Sequence, residues 1–245
     1  MKQELEKIAR ELDIPVGDPY GLLALGAFLM QQEEEKTKEL GIYALKEFIK
    51  QKPESSSGWH NLGLAYFGMG DVEKALTYLK KAYKLTPSDH KTLVALANAY
   101  SEEGKFKDAL HYYDKALAIS PGYLNAWTNL GTCYFKKGDY PKAKEAYKKA
   151  LSLESNNQTA QIGLAEIKIR ETMKEKALKV WQDLKKKTKV PQEDLALTFI
   201  TFFREQLLEK AAKVLELMGG RWVDPSNNSV YELRGNTISV EFLKN

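Results

Sequence analysis

A spacing of 34 residues runs through most of this chain and decides what it can fold into. Leu62, Leu96, Leu130 and Leu164 stand in one register, and the next residue is always small: Gly63, Ala97, Gly131, Ala165. Tyr66, Tyr100 and Tyr134 follow at one fixed offset, with Lys168 breaking the series, and Gly70, Gly104 and Gly138 at another. Ala75, Ala109, Ala143 and Ala177 keep the same period, and Pro53, Pro87 and Pro121 close successive units. No insertion disturbs the register from Leu22 to Pro191, a span of 170 residues. Repetition at such a period marks an array of small supersecondary units, each burying its apolar faces only against its neighbours.

Within one unit the apolar residues fall at helical spacing from Trp59 to Met69 and again from Val72 to Leu85. Between them Gly70-Asp71 supplies a helix-ending glycine and then an acid at the next helix start. Gly63 and Ala75 are small enough to let two antiparallel helices approach. Pro87 lacks a donor N–H, so the second helix stops before it.

The segments Trp59-His60-Asn61-Leu62-Gly63-Leu64-Ala65-Tyr66 and Trp127-Thr128-Asn129-Leu130-Gly131-Thr132-Cys133-Tyr134 resemble the W-x-x-L-G-x-x-Y pattern of tetratricopeptide repeats, or TPRs. The resemblance covers about two-thirds of the chain. It is strong over 56–89, 90–123 and 124–157, and weaker over 158–191, where Gln161 replaces the aromatic and Thr172 the turn glycine. It is weakest over 22–55, with Leu29 and Gly41 at the small sites. The implied fold is all-α: a right-handed α-solenoid of helix-turn-helix repeats with a small C-terminal β-hairpin. The expected organisation is a capping helix in 1–21, five repeats over 22–191, a divergent helical pair over 192–218 and a β-hairpin tail over 219–245.

Leu195 to Phe203 is apolar nearly all round, and a helix of that kind needs cover on more than one side. The tail is the expected cover. Ile238, Val240 and Phe242 alternate after a Gly235-Asn236 turn signal, while Val230, Tyr231 and Leu233 precede it. Phe199, Phe202, Phe203, Trp222, Ile238 and Val240 are therefore candidates for one of two roles. Either they cap the chain internally, or the hairpin edge pairs with a second copy and makes a homo-oligomer.

No catalytic residues are expected. His60, His90 and His111 occupy three different repeat positions without metal-ligand spacing, and Cys133 falls on the packed side of a first helix. There is no phosphate-binding glycine loop, no H-E-x-x-H and no G-x-S-x-G, so neither a cofactor nor a metal is expected. Trp59, Trp127 and Trp181 read as core residues of the repeat rather than a ligand box. The net charge of +4 is uneven: residues 132–191 carry +8, including Lys185, Lys186, Lys187 and Lys189. Without a reader motif or a basic–aromatic platform, nucleic acid is not the expected partner. No apolar run approaches the roughly 20 residues of a membrane span, and Met1 to Lys7 lacks the pattern of a signal peptide; a cytoplasmic chain is the expectation.

In tetratricopeptide repeats, fixed positions on the first helix of each unit line a concave groove. The resemblance places Asn61, Phe67, Asn98, Asn129, Phe135 and Arg170 there, facing a peptide or helical segment of another protein. Asn amides donate to and accept from a peptide backbone, the two Phe offer apolar contact, and Arg170 pairs with an acid. The cations with which chaperone-binding members hold a C-terminal carboxylate are missing; only two of the Asn fall in that frame. The expected function is a non-enzymatic scaffold or adaptor. The alternative is a structural self-assembler that oligomerises through the Phe-rich helices and the tail.

Overall fold

The computed structural model describes residues 1–15, 17–185, 191–204, 208–224, 229–234 and 237–242. It divides into two compact units, 1–163 and 164–245.

The first unit begins with α1 (Lys2–Glu11), whose Leu5 and Ala9 are buried in one core cluster with residues of the following helices. Then come α2 (Pro19–Leu29), α3 (Glu35–Gln51), α4 (Ser56–Gly68), α5 (Val72–Leu85), α6 (His90–Glu102), α7 (Phe106–Ile119), α8 (Leu124–Lys137) and α9 (Tyr140–Leu153). Helices pack in consecutive pairs, α2 with α3, α4 with α5, α6 with α7 and α8 with α9, and each pair packs on the next. Side-chain caps recur with the repeat. Ser55, Asp89 and Asn157, at one register, accept backbone N–H groups at the starts of α4, α6 and a later helix, α10 (Gln158–Lys185). Asp71 and Asp139 cap α5 and α9 in the same way.

The small residues work as the sequence requires. A Cβ on Gly63 would lie 2.6 Å from Leu79, and one on Gly131 would lie 2.5 Å from the ring of Tyr147. Gly70, Gly104 and Gly138 take φ of 79°, 72° and 85°, the left-handed conformation that ends one helix and releases the chain into the next.

The fourth such position holds Thr172, and there the expected turn is absent. Residues Gln158–Lys185 form one uninterrupted helix of 28 residues, not a helix-turn-helix pair. A β-branched residue reaches the left-handed region only at high cost, and the Thr172 hydroxyl instead donates to the Lys168 carbonyl at 3.0 Å within the helix.

The second unit contains the end of α10, then α11 (Gln192–Arg204), α12 (Leu208–Leu217) and three strands, β1 (Arg221–Asp224), β2 (Ser229–Arg234) and β3 (Thr237–Phe242). The strands form an antiparallel sheet in the order β1-β2-β3, with Trp222 opposite Tyr231 and Tyr231 opposite Val240. The expected hairpin is β2–β3. Trp222 and Val223, which carried no strand signal of their own, add a third strand. The Gly235-Asn236 link lies outside the described residues.

Phe199, Phe202, Ala211, Val214 and Leu215 are wholly buried in this unit. Tyr231 covers Phe199 and Phe203 at ring separations of 5.3 and 5.2 Å, and Trp222 reaches Phe199 at 5.8 Å. The tail therefore caps the Phe-rich helix of its own chain. Ile238 packs at the margin of this core, whereas Val240 is 39% exposed and takes no part in the cap. Its strand is an edge of the sheet, with Val240 opposite Tyr231.

Candidate functional site

Two hollows, one in each unit, contain most of the residues singled out from the repeat register. In the first unit, Phe67 on α4, Asn98 on α6 and Asn129 on α8 meet around a hollow of about 200 Å³, with Tyr113, Thr132 and Lys136. Helix spacing explains the meeting. The first helices of three successive repeats lie side by side, and each contributes the residues of one face.

The polarity of this hollow is set from behind. Tyr113 on α7 is 1% exposed, and its hydroxyl donates to Asn98 Oδ1 at 2.5 Å. Burial pushes the phenol far above its ordinary pKa, so it stays a donor. With its oxygen occupied, Asn98 turns its N–H groups toward the hollow. One repeat later the same arrangement recurs, Tyr147 donating to Thr132 Oγ1 at 3.2 Å. Lys136 pairs across repeats with Glu102 at 2.5 Å, both side chains partly exposed. Sequence reasoning about first helices alone misses Tyr113. The available signal was its hydroxyl standing 15 residues after Asn98, repeated by Tyr147 and Thr132, where the preceding repeat has Leu79 and Leu64.

Asn61 and Phe135 are half-buried on α4 and α8 but do not line this hollow, and Phe135 packs edge-on to Tyr140 at 5.5 Å. Arg170 lies in the second unit. There it lines a hollow of about 310 Å³ with Ile169, Met173, Leu197, Ile200 and Arg204.

Beside Asn61, His60 forms a relay between repeats. Its Nδ1 lies 2.9 Å from Thr92 Oγ1, which donates to Asp89 Oδ2 at 2.5 Å. The Thr92 hydroxyl proton is committed to the carboxylate, so His60 Nδ1 is the donor to Thr92. Burial lowers the His60 pKa, against the opposing pull of Asp89. Burial also works against the Asp89 charge. Hydrogen bonds from the Thr92 hydroxyl and the Lys91 and Thr92 backbone outweigh it, and the carboxyl sits below its usual range.

Trp59 and Trp127 occupy the margin of the core, half-buried. Trp59 Nε1 donates to the Pro53 carbonyl at 2.7 Å and Trp127 Nε1 to the Pro121 carbonyl at 2.8 Å. Gln161, which looked like a failed aromatic, makes the same bond to Ser155 at 2.9 Å. The side chain of Trp181 and Lys185–Lys187 with Lys189 lie outside the described side chains. Cys133 is 1% exposed, and burial pushes its thiol up. Among the described residues no group of three His, Cys, Asp or Glu is placed to hold a metal, and no helix is long and apolar enough to cross a membrane.

The structure gathers lysines of the second helices over aromatic rings. Tyr100 stacks on Tyr112 at an interplanar angle of 6°, with Lys80 over one ring and Lys115 over the other. Lys81 covers Trp59 and Lys142 covers Tyr134. These rings face one another or a lysine of the same chain.

Helix pairs of this kind, linked through left-handed glycines and closed by small residues, define a tetratricopeptide repeat protein. The chain belongs to the family of the cilia and flagella-associated protein 70 C-terminal domain, which matches residues 7–197. It is similar to the crystal structure of MamA, at 26% identity and a TM-score of 0.50, over 62% of this chain and 85% of that one. The first TPR of Spaghetti (RPAP3) bound to the HSP90 peptide SRMEEVD matches at 26% identity and a TM-score of 0.46, over 48% of this chain and 93% of that one. The Sgt2 TPR domain from Aspergillus fumigatus matches at 29% identity and 0.46, over 48% and 79%. No curated protein matches the chain.

Proposed function

We propose that this chain is a non-enzymatic scaffold that binds a segment of another protein along the first helices of its repeats. The observation that carries this reading is the meeting of Phe67, Asn98 and Asn129 in one hollow, with Asn98 fixed as a donor by Tyr113. Amide groups lining a hollow beside an aromatic ring suit a peptide backbone and its apolar side chain. Lys136 adds a cation that exchanges Glu102 for a partner carboxylate. Asn61 and Phe135 extend the contact along α4 and α8, and Arg170 serves the same role in the second unit. Membership of a tetratricopeptide repeat family supports a protein partner over a reaction.

The test compares the wild-type chain with an Asn98→Ala, Asn129→Ala, Lys136→Ala variant in capture from source lysate, followed by titration of each captured protein with both chains. The expected result is at least one partner that binds the wild type and loses tenfold or more in affinity with the variant. Equal affinities for every captured partner would remove the hollow from the function.

A further inference from the structure

The hollow of the second unit differs in chemistry from the Asn-lined one. Its floor is apolar: Ile169 and Met173 from α10, Leu197 and Ile200 from α11. Ile169 is 54% exposed and Met173 39%, a pair of large apolar side chains left open to water on one helix. Arg170 and Arg204 line it, one from each helix, with Glu166 as the one acid among its described lining residues. Along α10 from 166 to 179 the charges are five cations against three carboxylates. Thr201 is no competing polar anchor, because its hydroxyl is spent on the Leu197 carbonyl at 2.8 Å. The volume, about 310 Å³, lies at the small end of ligand pockets, which run from about 300 to 1,000 Å³. It has room for one or two apolar side chains rather than a large cofactor.

We infer that this hollow docks a short acidic segment of a partner protein, which seats a large apolar side chain on Ile169, Met173, Leu197 and Ile200 and sets flanking carboxylates against Arg204 and Arg170. The choice of an acidic occupant follows from the wall charges; the apolar anchor follows from the exposed floor. The inference rests on the reading of the chain as a protein binder, but on different residues from the Asn98 hollow.

The probe is a phage-displayed library of random 12-residue peptides selected on the full chain. Enriched peptides are resynthesised and titrated against the wild type, an Ile169→Asp, Arg204→Glu variant and an Asn98→Ala, Asn129→Ala variant. Ile169 and Arg204 are both exposed, so the first variant keeps its fold, checked by circular dichroism. The expected peptides carry Leu, Ile or Phe beside Asp or Glu, lose tenfold or more in affinity with the first variant, and bind the second unchanged. Enrichment of basic peptides, or of none, overturns the inference. So does insensitivity to the first variant; peptides lost only with the second would overturn it while leaving the Asn98 hollow in place.

Discussion

Single side chains in this protein set polarity as much as they fill space. Tyr113 shows this most clearly, since one buried hydroxyl decides which half of the Asn98 amide meets solvent. Tyr113→Phe keeps the ring and removes the bond. We expect a loss of about 1 kcal/mol in denaturant unfolding, the net worth of one such bond, and weaker binding of any partner that uses Asn98. An unchanged partner affinity would show that the amide orientation is immaterial. His60 gives a pH dependence. Its folded pKa lies below the ordinary 6.5, so below that pH the unfolded chain takes up a proton that the folded chain resists. The stability contributed by neutral His60 is thus present above about pH 6.5 and lost as pH falls through the folded value. The Asp89 contribution is lost in a separate window below the ordinary 3.8 of an aspartate. Thermal melts between pH 7.5 and 5 should fall in the wild type and flatten in His60→Gln; parallel slopes would discharge His60 from the role.

At the scale of the helix, the turn is where the repeat is made or lost. Three left-handed glycines turn the chain between the helices of three repeats, and where Thr172 stands in that place α10 runs on for 28 residues. Thr172→Pro separates the two possibilities. In a continuous helix it costs about 3 kcal/mol and lowers the helical circular dichroism signal, because it removes a backbone bond and clashes with the preceding turn. In a helix-turn-helix unit, proline near the turn is tolerated and neither quantity moves. The departure at Thr172 was visible in the sequence as a missing glycine, but a 34-residue register argues for a turn whether or not the local chemistry supplies one. The same bias made Gln161 look like a weak match. In the structure it carries the hydrogen bond that Trp59 and Trp127 make, which a pattern of apolar sites does not register. What the sequence showed well was anything tied to periodic burial: the helix pairs, the small residues at their contacts, and the convergence of Phe67, Asn98 and Asn129. Tyr113 escaped because its effect crosses from the second helix to the first. The strand Arg221–Asp224 escaped because four residues are too few to show alternation.

The two units divide the labour of stability differently. In the first, each repeat is held by the next, so loss of one contact is shared along a row of neighbours. In the second, a single aromatic cluster joins α11, α12 and the sheet, and Tyr231 touches Phe199, Phe203 and Trp222 at once. Tyr231→Ala should therefore cost about 3 kcal/mol or more, in line with losing a large buried aromatic. It should lower one melting transition while the repeats of residues 1–163 keep theirs. The same cluster decides between capping and self-association. With the tail in place, Phe199 and Phe202 are already fully covered, so they offer nothing to a second copy. Removing residues 219–245 uncovers Phe199 and Phe203 together, and a large apolar patch in water seeks another. Multi-angle light scattering across a hundredfold dilution should give a constant monomer mass for the full chain and, for the chain ending at Met218, a mass above the monomer that falls on dilution. The opposite pattern, a full chain that dissociates on dilution and a truncated one that stays monomeric, would make the free edge of β3 a pairing strand between copies. Val240, exposed on that edge, would then be the residue to replace by Lys, because a charge there blocks edge pairing.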